Sequence, residues 1–282
     1  MEIAEEIVGL MATIAVNQAG QLALTRYRVA LVEHWRIAPG MRILEIACGQ
    51  GGMTAVLAWV VGPEGHVIAV DSADPSYGAP MSLGDSGAYL KASPLGSRID
   101  FRYQVDVLDL SVSFPDDAFD AIVFAHGAWY FASFDHLRRT LERIRPWSKR
   151  LCFAEWDLTP ETTDQIAHFL AVTIQGEIEA YKTVSEANVR TPFPLSRFVS
   201  LLNQTGWDLS ALSRMNTESL QDGMWEVDLC LDYALPEAAT LDIPPRIQDL
   251  IISQGEILRS LATIRHHRSL PSYVITALRK DR

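Results

Sequence analysis

The sequence predicts an α/β fold on a mostly parallel sheet, and two stretches carry that prediction. Residues 41–54 read MRILEIACGQGGMT: an apolar run from Ile43 to Ile46, interrupted by Glu45, breaks into Ala47, Cys48, Gly49, Gln50, Gly51 and Gly52. A run without strict alternation is what a strand covered on both faces looks like. Residues 53–61 then read as a helix, and strand, glycine turn and helix in that order let backbone approach a bound nucleotide. The second stretch is 66–70 (HVIAV), entered through the turn residues Gly62, Pro63, Glu64 and Gly65 and ending on Asp71. A carboxylate at the end of a second strand can accept two hydrogen bonds from the vicinal hydroxyls of a ribose.

The glycines decide between ligands. Counting Gly-x-Gly-x-x-Gly from Gly49, the third position falls on Thr54, so the dinucleotide fingerprint is incomplete. Glu45-Ile-Ala-Cys-Gly-Gln-Gly instead resembles motif I of the class I S-adenosylmethionine-dependent methyltransferases, in which an acid stands four residues before the central glycine. The resemblance implies a Rossmann-like seven-stranded mostly parallel sheet and S-adenosyl-L-methionine as cofactor. It places Glu45, Ala47, Gly49 and Gly51 around the methionyl part and Asp71 with Ser72 at the ribose. Ala47 stands where the family often has its first glycine.

The remaining elements are justified in order. Residues 2–36 carry Ile3, Ile7, Leu10, Met11, Ile14 and then Leu22, Leu24, Tyr27, Leu31 and Trp35 at helical spacing, which predicts two helices joined at Gly20. In the family such helices commonly cover the cleft, which makes Tyr27 and Arg28 candidates to line it. A Gly-, Pro- and Ser-rich loop with a short helix near 84–92 leads to a third strand at 100–105. At its end the family places an acid on the adenine amino group and a backbone amide on a ring nitrogen; Asp106 and Val107 fit, with Asp109 as the competing acid. Phe119-Asp120 resembles the pair that leads into the family's fourth strand, here from Ala121, followed by His126, Gly127, Ala128, Trp129, Tyr130 and Phe131. A helix at 135–144 and a fifth strand at 151–156 follow, with Pro146-Trp147-Ser148 replacing the family's Pro-Gly-Gly turn. Helical residues fill 160–186 and 195–204, a sixth strand is expected at 207–213 and a seventh at 272–278.

In the family the last two strands form a hairpin with the seventh inserted between the fifth and sixth. The long segment 214–268 separates them here and reads as helices bearing Trp225, Tyr233, Leu250, Ile251, Ile257 and Leu258. The expected organisation is therefore N-terminal helices over the cleft (1–36), a core at 37–158, 192–213 and 270–282, and a helical cap at 159–191 and 214–269. A cap would select substrate and exclude water; packing as a contact between two copies is the alternative, so a homodimer stays open.

Composition removes other classes. The 282 residues carry a formal net charge of -11 with a pI near 5.1, so no basic stripe exists to neutralise nucleic-acid phosphates. The most basic stretch, 265–268 (RHHR), reads as a polar turn. Cys48, Cys152 and Cys230 show no metal or redox spacing, and two lie in apolar runs, as expected of packed thiols in the cytoplasm. No apolar run reaches the ~18 residues of a membrane span.

Fourth-strand ends face the methyl group in this architecture, which makes His126 the candidate general base and Tyr27, Trp129 and Tyr130 candidate substrate walls. Metal-dependent catechol enzymes of the fold carry acids after the fourth and fifth strands; His126 stands at the former and Glu155 and Asp157 at the latter, and no metal cluster is indicated. The expected reaction is methyl transfer to an oxygen or nitrogen of a small, largely apolar metabolite. A methyltransferase-like cyclase or pericyclase, or a non-catalytic partner subunit with a collapsed pocket, is the alternative.

Overall fold

The structure, a computed structural model, describes residues 2–12, 18–185, 187–263 and 267–280. Ile3–Val8 (α1) and Gln18–His34 (α2) precede Arg42–Ile46 (β1), Gly52–Val61 (α3), His66–Val70 (β2), Leu83–Ala92 (α4) and Ile99–Arg102 (β3). Ala121–Ala125 (β4), Phe134–Ile144 (α5), Arg150–Trp156 (β5), Ile166–Glu179 (α6), Leu195–Gln204 (α7) and Trp207–Met215 (β6) follow. Asp222–Leu229 (α8) continues through a π-helical turn into Leu235–Ala238 (α9), and Pro245–Ala262 (α10) leads to Ser272–Arg279 (β7).

The seven strands form one sheet in the order β3-β2-β1-β4-β5-β7-β6. β1 pairs parallel with both β2 and β4, and β7 runs antiparallel between β5 and β6, the placement expected of the seventh strand. The order reverses at β1, so the chain leaves β1 and β4 in opposite directions and a crevice opens beyond their C-terminal ends. The apolar spelling of β1, β4 and β5 matches their burial.

Several boundaries differ from the sequence reading. Gly20 lies inside α2 and is no joint; Ile14 falls outside the described residues. β3 stops at Arg102 because Gln104 turns to φ 56 and the Val105 amide donates to the Asp71 carbonyl instead of extending the strand. α6 stops at Glu179, where Lys182 turns back to pair with Glu179 and Glu237; Glu186 is outside the described residues. Of the basic stretch, Arg265 and His266 are outside them too, while Arg268 pairs with Asp164 and Glu218.

The apolar interior falls into two clusters. The larger surrounds the sheet and includes α2, α3, α5 and α7. The smaller is made by α6 and by the stretch that runs from α8 through α9 to α10, from Ala167, Ile174 and Ile178 to Val227, Ile251 and Leu258. Among the described residues no helix is long and apolar enough to cross a membrane.

Candidate functional site

Two adjoining cavities occupy the crevice. One, of about 370 Å³, is lined by Asp71, Ser72, Asp106, Val107, Phe131, His136 and Asn188; the other, of about 530 Å³, by Tyr27, Arg28, Glu45, His126, Trp156, Asp222 and Trp225. Ala47, Gly49 and Tyr130 border both, so the glycine turn after β1 is the sill between them.

The turn is built for close approach. Gly49 adopts φ 52, and nothing lies within 4 Å of where its Cβ would be, so a side chain there would project into open cavity. Ala47 takes φ 60, a left-handed conformation costing an alanine about 1–2 kcal/mol, which is the physical reason glycine is common at this position. Asp71 holds the turn: its Oδ2 accepts from the Gly49 amide at 2.8 Å and its Oδ1 from the Ala73 amide at 2.9 Å. Its carboxylate nevertheless borders the smaller cavity with lone pairs to spare. Asp106 borders the same cavity, with Leu108 N donating to Oδ1 at 2.8 Å, whereas Asp109 is absent from that lining and accepts from Ser111.

Glu45 is 2% exposed and accepts from Thr54 Oγ1 at 2.6 Å. Burial pushes its carboxyl up to about 8, against the lowering effect of that bond and of the Arg28 charge. Thr54, whose position spoiled the dinucleotide fingerprint, is thus the acid's partner, which the sequence reading missed. Arg28 lies over the start of α3, its guanidinium against Gly52, where a side chain would push the guanidinium aside. Burial lowers the proton affinity of this guanidinium, and the charges of Asp222 and Glu45 offset that only in part.

At the far end of the larger cavity, His126 sits at φ 56 just beyond β4, with its Nδ1 3.4 Å from Glu155 Oε1. Glu155 is itself fixed, accepting from the Ala128 and Trp156 amides at 2.9 and 3.0 Å. Nδ1 makes no hydrogen bond and lies beside that carboxylate, while Nε2 is 2.7 Å from Tyr27 Oη; with the ring proton on Nδ1, Nε2 accepts from the tyrosine. Tyr27 Oη also contacts Ser272 Oγ on β7. Tyr27 is therefore both packed, at 5% exposure, and part of the lining.

Trp129 corrects the sequence reading. It is 2% exposed, lies in the core, and its carbonyl accepts from the Arg190 and Thr191 amides; it lines neither cavity. The aromatic walls are Tyr130, Trp156 at the end of β5 and Trp225 on α8. Asp157 likewise stays outside, tied to Arg214 at 2.5 Å. Among the described residues no group of three His, Cys, Asp or Glu side chains could hold a metal ion.

The comparisons with known proteins agree with this geometry. The family profile of protein-L-isoaspartate(D-aspartate) O-methyltransferase matches residues 12–77, the stretch from α2 through β2. The methyltransferase phomM' of Diaporthe leptostromiformis is 32% identical over 161 residues, covering 50% of this chain and 41% of that protein. The 2-phytyl-1,4-naphtoquinone methyltransferase of Synechococcus elongatus is 34% identical over 143 residues, covering 50% of this chain and 58% of that one. The chain thus spans about half the length of the curated relatives it matches. A cyclopropane-fatty-acyl-phospholipid synthase-like protein from Lactobacillus casei superposes with a TM-score of 0.87 at 32% identity, over 98% of both chains. The chain belongs to the class I S-adenosylmethionine-dependent methyltransferases.

The cofactor of that family is S-adenosyl-L-methionine, and the residues present fit it. The smaller cavity offers Asp71 and Ser72 to a ribose and Asp106 with Val107 to an adenine. Beyond the open cradle at Gly49, Arg28 offers a cation to an amino-acid carboxylate, and it makes no ion pair within 4 Å among the described residues. Glu45 stands beside it as the matching acid for an ammonium.

Proposed function

We propose that the protein transfers a methyl group from S-adenosylmethionine to an oxygen or nitrogen of a small, largely apolar acceptor held in the larger cavity. Bound cofactor supplies a methyl carbon made electrophilic by a positively charged sulfur. The protein's part is to hold the acceptor in line and to take its proton. The observation that carries the reading is the Glu155–His126–Tyr27 chain at the edge of a cavity that shares its sill with the nucleotide lobe. Tyr27 Oη can accept a proton from the acceptor while passing its own to His126 Nε2, and the resulting imidazolium rests beside Glu155. A pericyclic ring closure needs no proton acceptor, so this chain favours transfer over cyclisation. The open cavities favour a working enzyme over a non-catalytic subunit, in which they would be filled.

The helices α6 and α8 to α10, with α1 and α2, serve as the cap that closes over acceptor and excludes water. The neutral, ring-bearing acceptor named for the Synechococcus relative falls in the same small apolar class.

Calorimetric titration with S-adenosylhomocysteine and S-adenosylmethionine, with NADH as control, tests the reading. Micromolar binding of both adenosyl ligands is expected and none of NADH, with Asp71→Ala weakening both through the lost ribose contacts. With cofactor binding in hand, His126→Ala is expected to cut turnover by about 10²-fold or more at unchanged cofactor affinity. No adenosyl binding, or wild-type turnover in the His126 variant, overturns it.

A further inference from the structure

The larger cavity contains a charge that an apolar acceptor would not call for. Asp222 opens α8, a position where an acid ordinarily faces solvent and favours the positive end of the helix dipole. Here it lines the cavity with Tyr27, Tyr130, Trp156, Trp225 and His126. Among the described residues its carboxylate has no ion-pair partner within 4 Å, and no side chain hydrogen-bonds to it. Burial raises its proton affinity, and the charges that oppose this are His126 first and Arg28 second.

Asp222 is half-buried and borders the cavity, and a carboxylate among apolar walls with no ion-pair partner within 4 Å is satisfied when a ligand brings a cation. The same cavity is lined by Tyr130, 44% exposed, by Trp156 and by Trp225. Aromatic faces and one carboxylate are the combination that recognises an organic cation in preference to a neutral molecule of the same shape. Arg28 and Glu45 stand at the cofactor's amino-acid end, Glu45 as a carboxyl that keeps its proton below about pH 8 until an ammonium binds beside it, and Asp222 is thereby assigned to the acceptor.

We infer that the acceptor is an amine bound as its ammonium form, held by Asp222 and walled by Tyr130, Trp156 and Trp225, so that nitrogen is the atom methylated. This rests on reading the larger cavity as the acceptor site of a methyltransferase. Before reaction one N–H bond of the ammonium breaks: the proton goes to Tyr27 Oη as the tyrosine's own proton moves to His126 Nε2, leaving a neutral amine and an imidazolium. Asp222 keeps the amine in place through that transfer.

The probes are 2-phenylethylamine and tryptamine, set against 2-phenylethanol, the neutral isostere of the first. Binding to the full chain is measured by calorimetry with and without saturating S-adenosylhomocysteine, for wild type and for Asp222→Asn, which keeps the side chain's shape. The amines are expected to bind at least about tenfold more tightly than the alcohol, and Asp222→Asn to remove that preference while its S-adenosylhomocysteine affinity stays that of wild type. The unchanged nucleotide affinity also shows that the variant is folded. The inference is overturned if neither amine binds, if amine and alcohol bind alike, or if Asp222→Asn still prefers the amine. It is also overturned if Asp222→Asn loses S-adenosylhomocysteine, for then Asp222 serves the cofactor. Failure of wild type to bind S-adenosylhomocysteine, by contrast, strikes the methyltransferase reading, while the amine titrations without nucleotide still report on Asp222.

Discussion

Glu45 shows how a single position couples the fold to the ligand. In the unfolded chain its carboxyl titrates near 4.5, whereas burial among β1, α3 and Arg28 raises it to about 8. The folded protein therefore holds a proton that the unfolded chain releases, and stability from this group is full below the unfolded value and declines as pH rises through the window up to about 8. Each pH step of one within it costs up to about 1.4 kcal/mol. Glu226, raised to about 7 by burial, acts with the same sign over a narrower range, so wild type alone does not isolate Glu45. Glu45→Gln keeps the shape and removes the titration, and its midpoint temperature between about pH 5 and pH 8 is expected to fall less steeply than that of wild type. Parallel profiles would mean that Glu45 is ionised in the ligand-free protein. The acid itself was legible, because an isolated Glu in an apolar strand before two glycines has few other reasons to be there. Its partner Thr54 was not, since a hydroxyl one turn into the next helix carries no sequence mark of which way it faces.

At the scale of elements, α2 and α8 turn a nucleotide-binding sheet into a site for a particular ligand. The apolar spacing of α2 was enough to predict a helix and to nominate Tyr27 and Arg28, but the joint expected at Gly20 was wrong: a glycine within a helix is tolerated when its missing side chain is buried, as here. One aromatic wall was misassigned for a related reason. Trp129 follows β4 by four residues, but it sits in the short helical turn at Ala128–Tyr130 and is buried in the core, and beside the expected Tyr27 and Tyr130 the walls come from Trp156 on β5 and Trp225 on α8, which only the fold brings together. Arg28 offers a sharp test of what α2 contributes. Arg28→Met keeps the apolar stem and removes the charge, and loss of a charged hydrogen bond worth about 1.5–3 kcal/mol should weaken S-adenosylhomocysteine about tenfold or more. 5′-Methylthioadenosine, which lacks the carboxylate, should bind variant and wild type alike. Equal weakening of both ligands would mean that Arg28 supports the glycine turn and touches no carboxylate.

Across the whole molecule, the alternation of apolar strands and helices foretold a mostly parallel sheet, because buried parallel strands leave little freedom in how they are spelled, whereas the antiparallel β7 between β5 and β6 was implied by the resemblance to the family. How the inserted helices pack was not legible, since amphipathic helices reveal a buried face but not the neighbour it meets. The structure answers this with a second apolar cluster whose members, among the described residues, come from α6 and from the stretch that runs from α8 through α9 to α10. A cluster of this kind can loosen while the sheet stays folded, which is what entry and exit through a cap require. Leu258 on α10 is fully buried within it, so Leu258→Ala should cost about 2–5 kcal/mol locally. Hydrogen exchange should report the loss as faster exchange in α6 and α10, with the amides of β1, β4 and β5 protected as in wild type. If those strands lost protection in step with the helices, the two clusters would form one cooperative unit, and access to the cavities would have to come from movement of α1 and α2 instead.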